Sequence, residues 1–366
     1  MALIKVDTND LFGMTPNGGR DAAISGVWLE AATTSGTVDT PTASAPFIQN
    51  SIVRTGGFAW RFPSPGSAIS THVPRLRMGL DTPRDAVGAS FGLNFNVIPQ
   101  HSDHWGFSLR DAANNPILTF VVQPDGSISV KRGGSQGTLL GTTSAQIPQN
   151  SWQHVEFYAT RSASVGTVEI RINNNVVLNL TGQNTGATDW SVLYFGNHRY
   201  VTGGQVNAGV CLDDLIIWDK TGSDFNDFPG PVRVFCLTTN GDTVNADWSV
   251  TGAATGHGAL SDVGPDEDAS YIISGGAGDI SDFDVQNLPS GVGIIRAVIP
   301  VSRMRSAEAA EARVDVVSDG DVALGTARFL PVSYAYWQDV VYLDPKTGAP
   351  WTRAAVNAAR LRFRQL

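Results

Sequence analysis

The chain has 366 residues, with 34 Asp and Glu against 25 Lys and Arg, for a formal charge of −9. Its basic residues are scattered, which excludes the clustered cationic surface that a phosphate backbone requires, so nucleic acid is not an expected partner. Charged residues make up 16% and there are 39 glycines. An average domain has roughly 25% charged residues and about 7% Gly, so the composition suits a turn-rich, all-β chain long enough for two domains.

Residues 1–50 are rich in turn formers, with short strands expected at Ile24–Leu29 and around Phe47–Val53. The first seven residues carry no apolar core or small-residue cleavage site of a secretory leader. No apolar run approaches the ~18 residues of a membrane helix. The expectation is synthesis in a cytoplasm, without membrane insertion. From Gly57 to Phe62, Phe58, Trp60 and Phe62 share one face. Between Ala89 and Val97, Phe91, Leu93, Phe95 and Val97 do the same against small or polar residues, the period-2 signature of a strand with one buried face. Trp105–Arg110 and Ile117–Val122 form an expected hairpin. Pro124-Asp125-Gly126-Ser127 then makes a turn, since Pro fixes φ and Gly accepts positive φ, and Ile128–Arg132 follows.

The stretch Ser151–Asp219 has the densest pattern. Val168, Ile170 and Ile172 alternate with Thr167, Glu169 and Arg171. Asn173-Asn174-Asn175 offers the positive φ that a tight hairpin needs, and Val176–Leu180 runs back. Trp190–Gly196 and Val210–Asp219 complete four or five strands joined by polar turns, which points to a β-sandwich.

Pro229-Gly230-Pro231 marks an expected boundary. Beyond it the sequence reads as a strand at Val232–Leu237, an acidic loop region from Thr238 to Asp268, and strands at Tyr271–Ser274, Gly293–Val301, Glu311–Ser318, Gly325–Leu330 and Trp337–Tyr342. Gly293–Val301 is the best formed of these. Trp351–Ala359 reads as a helix capped by Thr352. The two cysteines, Cys211 and Cys236, each lie in an apolar run, which leaves a disulfide open.

Trp152 opening a strand, the Asn173–Asn175 hairpin tip, and Asp213-Asp214 followed by Leu215-Ile216-Ile217-Trp218-Asp219 resemble a concanavalin A-like jelly roll of laminin-G or pentraxin type. The resemblance covers roughly residues 1–220. With Thr221–Gly230 leading into a second β module, the layout resembles tail-associated virion proteins of tailed bacteriophages. It implies an N-terminal jelly-roll sandwich (1–220), a linker (221–231), and a smaller C-terminal β domain with one terminal helix (232–366) for docking or oligomerisation.

Glucanases of this fold carry two Glu flanking an Asp on one strand, and no such triplet occurs. Glu156 and Glu169 stand alone on faces that alternation sends outward, so they read as solvated carboxylates. Asp213 and Asp214 supply too few oxygens for calcium and read as acceptors for loop amides. The acidic groups Asp266-Glu267-Asp268 and Asp279, Asp282, Asp284 read as solvated surface. His101-Ser102-Asp103-His104-Trp105 lacks a third zinc ligand nearby. His101, Asp103, His104 and Trp105 are instead the candidate glycan contacts, with Trp105 as a sugar-stacking lip. No phosphate loop or serine nucleophile elbow is present.

These readings give an expectation of a non-enzymatic virion structural protein, a tail fibre, spike or baseplate component, without catalytic residues, metal or cofactor. Its expected partners are other virion proteins, host-surface polysaccharide and, as the resemblance to tail appendages implies, further copies of itself in a homo-oligomer, a trimer. The alternatives are a head decoration or head-fibre protein, and a carbohydrate-binding module or glycoside hydrolase of the same fold.

Overall fold

The structure is a computed structural model, described over residues 3–7, 30–32, 47–49, 54, 59–62, 75–99, 102–198, 209–221, 226–261 and 268–366. The sequence-predicted strand at 24–29 and candidate His101 lie outside these residues. The chain divides into two compact units, Met1–Val234 and Phe235–Leu366.

The strands of the first unit are β1 (Leu3–Asp7), β2 (Glu30–Ala32), β3 (Phe47–Gln49), β4 (Ala59–Phe62), β5 (Arg75–Arg84), β6 (Ala86–Phe95), β7 (Trp105–Arg110) and β8 (Pro116–Val122). They continue with β9 (Ile128–Arg132), β10 (Thr138–Thr142), β11 (Gln153–Thr160), β12 (Gly166–Ile172), β13 (Asn175–Gln183), β14 (Trp190–Asn197) and β15 (Val210–Trp218). They form two antiparallel sheets. One has eight strands in the order β13-β12-β11-β6-β15-β4-β3, with β1 also on β15, and the other seven in the order β10-β9-β8-β7-β14-β5-β2. This is the expected jelly-roll sandwich. β5, not anticipated from the sequence, sits beside β14 through the pairs Leu76↔Phe195 and Arg77↔Tyr194.

The inward faces follow the alternation. In the seven-stranded sheet, Leu76, Phe195, Phe107, Phe120 and Val130 lie side by side in register and are fully buried. Phe107 stacks on Phe120 at 4.6 Å and on Phe157 of the other sheet at 5.2 Å, while Phe91 meets Phe107 and Phe195 edge-on. Such ring pairs add about 0.5–1.5 kcal/mol each beyond the area they bury. The hairpin at Asn173-Asn174 has φ of 49° and 70°, as the Asn run requires.

In the second unit, β16 (Thr239–Ala246), β17 (Ser249–Thr251), helix α1 (Gly256–Leu260), β18 (Tyr271–Ile273), β19 (Ile280–Val285) and β20 (Val301–Met304) come first. They are followed by β21 (Glu311–Ser318), β22 (Asp321–Ala323), β23 (Arg328–Phe329), β24 (Ala335–Gln338), helix α2 (Arg353–Asn357) and β25 (Arg360–Gln365). The main sheet runs β16-β19-β25-β21-β22, with β23 also on β21. Thr352 caps α2 by accepting from Ala355 N.

Several strand expectations are corrected here. Residues 232–237 and 293–300 are not strands. Val292, Ile295 and Val298 pack on the cluster of Leu288, Val316, Trp351, Val356 and Ala359, a spacing of three instead of two. The expected acidic loop region 238–268 contains β16, and Asp282 and Asp284, expected as solvated surface, lie on β19. Asp282 in β19 is buried against Arg362 of β25, with bonds of 2.6 and 2.7 Å, and Asp284 bonds Arg360 at 2.9 Å. The chain ends on a strand, β25, at the centre of the sheet.

Candidate functional site

Two polar constellations form on the outward faces of the sandwich. On the eight-stranded sheet, β6, β11 and β15 set His154, Gly92 and Asp213 in one row and Glu156 and Ser90 in the next. Gly92 is bare because a Cβ there would run into the Arg54 side chain. Arg54 donates to Asp214 Oδ2 at 2.8 Å and to the Val232 carbonyl at 3.2 Å, and its backbone N–H donates to Asp213 Oδ2 at 2.9 Å. Burial pushes its guanidinium below the ordinary value, and Asp214 pulls it back.

The sequence placed Glu156 on an outward face, which is correct, and took it as solvated, which is not: it is 0% exposed. Its Oε1 accepts from Gly230 N–H at 2.9 Å, and its Oε2 is enclosed without a partner among the described residues. Asp214 Oδ1 accepts from Val234 N–H at 2.8 Å. Phe228 packs edge-on against Trp218 at 5.1 Å, with the Arg171 guanidinium 3.8 Å from its ring centre. Residues 228–234 therefore form a strap across this face, held by buried charges. Asp213 and Asp214 accept amides, as expected, but from Arg54 and Val234.

Ser90, His154 and Glu156 have the residue types of a nucleophilic triad but the wrong polarity. Arg54 only donates, so at 3.2 Å it makes His154 Nδ1 the acceptor and leaves the proton on Nε2. Nε2–H then points at Ser90 Oγ, 3.0 Å away, with Glu156 Oε1 at 3.6 Å. A base that already carries its proton toward the hydroxyl cannot activate it. The cluster holds the strap.

The seven-stranded sheet carries the second constellation. Opposite the apolar row, register places Arg77 (β5), Tyr194 (β14), Ser108 (β7), Thr119 (β8) and Lys131 (β9) side by side on the outward face. Five strands at about 4.8 Å make a polar line of about 19 Å. The Arg110 guanidinium lies 3.7 Å from the Tyr194 ring centre and its Nε donates to Ser108 Oγ at 2.9 Å. Lys131 pairs with Asp103 and donates to the Ser135 carbonyl at 2.7 Å. Arg77, Arg110 and Lys131 keep partial exposure, while Tyr194, Ser108 and Thr119 form a buried floor.

His198 follows β14, its ring 5.0 Å from that of Tyr194. Its Nε2 is enclosed, and burial, then the Arg110 charge, push its pKa down to about 3, so the imidazole is neutral at neutral pH.

Of the candidates from sequence, Asp103 reaches this line through Lys131. His104 is buried, and its carbonyl accepts from His198 N–H at 2.7 Å. Trp105 is corrected: it is 0% exposed, set edge-on between Phe62 and Phe95, and has no surface for a sugar. The strand position of Trp105 in the sequence, on the face of Phe107 and Leu109, already reads as core, and that reading holds against the sugar-lip one. The cross-strand line was not legible, because it needs the pairing of strands distant in sequence. No group of metal-binding side chains occurs among the described residues.

No protein-family model and no curated protein matches the chain. Among similar solved structures, alginate lyase A1-II′ of polysaccharide lyase family 7 is 12% identical, with a TM-score of 0.39 over 56% of this chain and 98% of that one. The carbohydrate-binding module CBM66 from Bacillus subtilis is 8% identical, with a TM-score of 0.30 over 43% of this chain and 84% of the module. A sialidase is 12% identical at a TM-score of 0.34, and the match covers 49% of this chain but 16% of the sialidase. These likenesses speak to the fold alone, a jelly-roll β-sandwich.

The expectation of a non-enzymatic chain is overturned by the same finding, because enzymes, alginate lyases among them, stand among the structures with this sandwich. The physical reason is that the missing acidic triplet tests one strand only. The folded sheets bring polar groups together from several.

Proposed function

We propose that the first unit recognises a polysaccharide along the polar line of its seven-stranded sheet, with Arg77, Arg110 and Lys131 as the contacts a chain meets first. The observation that carries this reading is the in-register line Arg77–Tyr194–Ser108–Thr119–Lys131, about 19 Å of polar side chains whose cationic members, with Arg110, keep partial exposure above a buried floor. Saccharides are bound by such hydroxyl-matching groups on preformed surfaces. The names of the similar structures, alginate lyases and a carbohydrate-binding module, agree in ligand class. The virion tail role belongs to the same proposal: a jelly-roll unit followed by a second β unit supports it, and adsorption to whole cells tests it.

The test is affinity electrophoresis of the full chain in gels containing alginate, arabinan or dextran. At least one should retard the wild type, and Arg110→Ala and Arg77→Ala should weaken that retardation about tenfold, the usual effect of losing ~1.4 kcal/mol. New reducing ends in the same mixtures would separate turnover from binding. Retardation unchanged in both variants, or no retardation by any polysaccharide, would overturn the proposal.

A further inference from the structure

Among its described residues the second unit holds a strand-like run that joins no sheet and a sheet edge that no further strand pairs. The run is Val292–Ala297, whose sequence is the most strand-like of the unit. Val292 and Ile295 are anchored on the Trp351–Val356 cluster, but Ile294 is 81% exposed. Among the described residues no backbone–backbone hydrogen bond involves Val292–Ile295, and pairing begins only at the Val298↔Val341 bridge. Backbone amides and carbonyls that face solvent in this way are open to pairing with another chain.

The edge lies along β22 and β23, which end the main sheet beyond β21. Leu324 (65% exposed), Phe329 (76%) and Val332 (72%) stand out along it. Asp339 holds it in place by accepting from Thr326 N–H at 3.2 Å and from both Arg328 terminal nitrogens at 2.7 and 2.8 Å. The other end of the sheet differs. There helix α1 lies against β16, with Gly256 and His257 N–H groups donating to Asp242. An open edge bearing large apolar side chains is the arrangement that folded chains normally cover.

We infer that the Val292–Ala297 run of one copy adds as a strand to the 321–329 edge of a second copy. The occupant is a second copy because one unit carries both halves of the contact, each with exposed aliphatic or aromatic groups to bury against the other. Such a contact joins different surfaces of the two copies, so it closes as a ring, exchanges reciprocally in a pair, or runs on as an open filament. The inference is independent of the polysaccharide reading.

Sedimentation of the full chain across a concentration series, with hydrogen exchange at each end of the series, tests it. The expected result is concentration-dependent association with coincident protection of amides in 293–297 and 324–329. Ile294→Asp and Phe329→Asp should each weaken association at least about tenfold. Val165→Asp, which alters an equally exposed apolar residue of the first unit, should not. A chain that stays monomeric overturns the inference. So does an oligomer in which the two segments are unprotected, or in which the three variants behave alike.

Discussion

Replacing Asp214 with Asn isolates the charge that holds the strap. Asp214 lies in the left-handed region at φ 54°, which Asn tolerates as well as Asp, so the backbone is not a confounding cost. Asn retains an oxygen for the Val234 N–H. What it loses is the negative charge beside Arg54, where the two side chains are 0% and 4% exposed. Breaking a buried pair by removing one partner costs about 3–5 kcal/mol, because the other charge is left uncompensated. Arg54 keeps the Val232 carbonyl, His154 Nδ1 and the charge of the neighbouring Asp213, so the low end applies, about 3 kcal/mol, or roughly 150-fold in the closed-to-open ratio.

The assay is amide exchange at Gly230 and Val234, the donors to Glu156 and Asp214, in wild type and D214N. A chain of two units does not unfold as one transition, so a segment-resolved readout is needed. Both amides should exchange roughly 150-fold faster in the variant. Adding Arg54→Met should recover part of the loss, since removing both charges leaves neither unpaired. Fast exchange of the two amides in the wild type would refute the reasoning, as would a double variant that costs the full sum of the singles.

Two further perturbations probe the sandwich. Gly88 leaves room for Trp218, whose ring would lie 2.5 Å from an added Cβ and is stacked on Tyr158. Gly88→Ala should therefore lower the stability of the first unit by about 1–3 kcal/mol, read as a drop in the midpoint of that unit's own thermal transition. A neutral effect would show that the ring moves freely. His198 has a folded pKa of about 3 against an ordinary 6.5, so the folded state binds fewer protons between those values. Its contribution is present above pH 6.5 and is lost as pH falls toward 3, with a slope of up to about 1.4 kcal/mol per pH unit. His198→Gln should flatten that limb of the first unit's urea-midpoint-versus-pH curve, and an unchanged limb would count against a half-buried neutral imidazole.

How far the sequence could be read depended on what each strand buries. Strands β6, β7, β11, β12 and β15 alternate or run apolar because each buries a full face in the sandwich, and period alone locates them. In the second unit, β19 and β25 meet partly through Asp282–Arg362 and Asp284–Arg360. Charge pairing across a ladder leaves no apolar period, so one strand reads as an acidic loop and the other goes unread. The Ile294 run fails in the opposite sense. It has strand composition, but its anchors fall at every third residue.

The two outward faces show why a site cannot be assigned from alternation alone. Glu156 and Lys131 look alike in sequence, both polar positions of alternating strands. One ends beneath a strap whose amide donor, Gly230, is separated from it by 74 positions, and the other stays at a half-open surface. The strap converts the richest cluster of ionisable groups in the first unit, Arg54, His154, Glu156, Asp213 and Asp214, into an internal lock. Buried charges whose hydrogen bonds hold residues 228–234 are poor candidates for meeting a ligand, because exposing them would cost those bonds. The proposed recognition therefore rests on the seven-stranded sheet, where Arg77, Arg110 and Lys131 remain within reach of solvent.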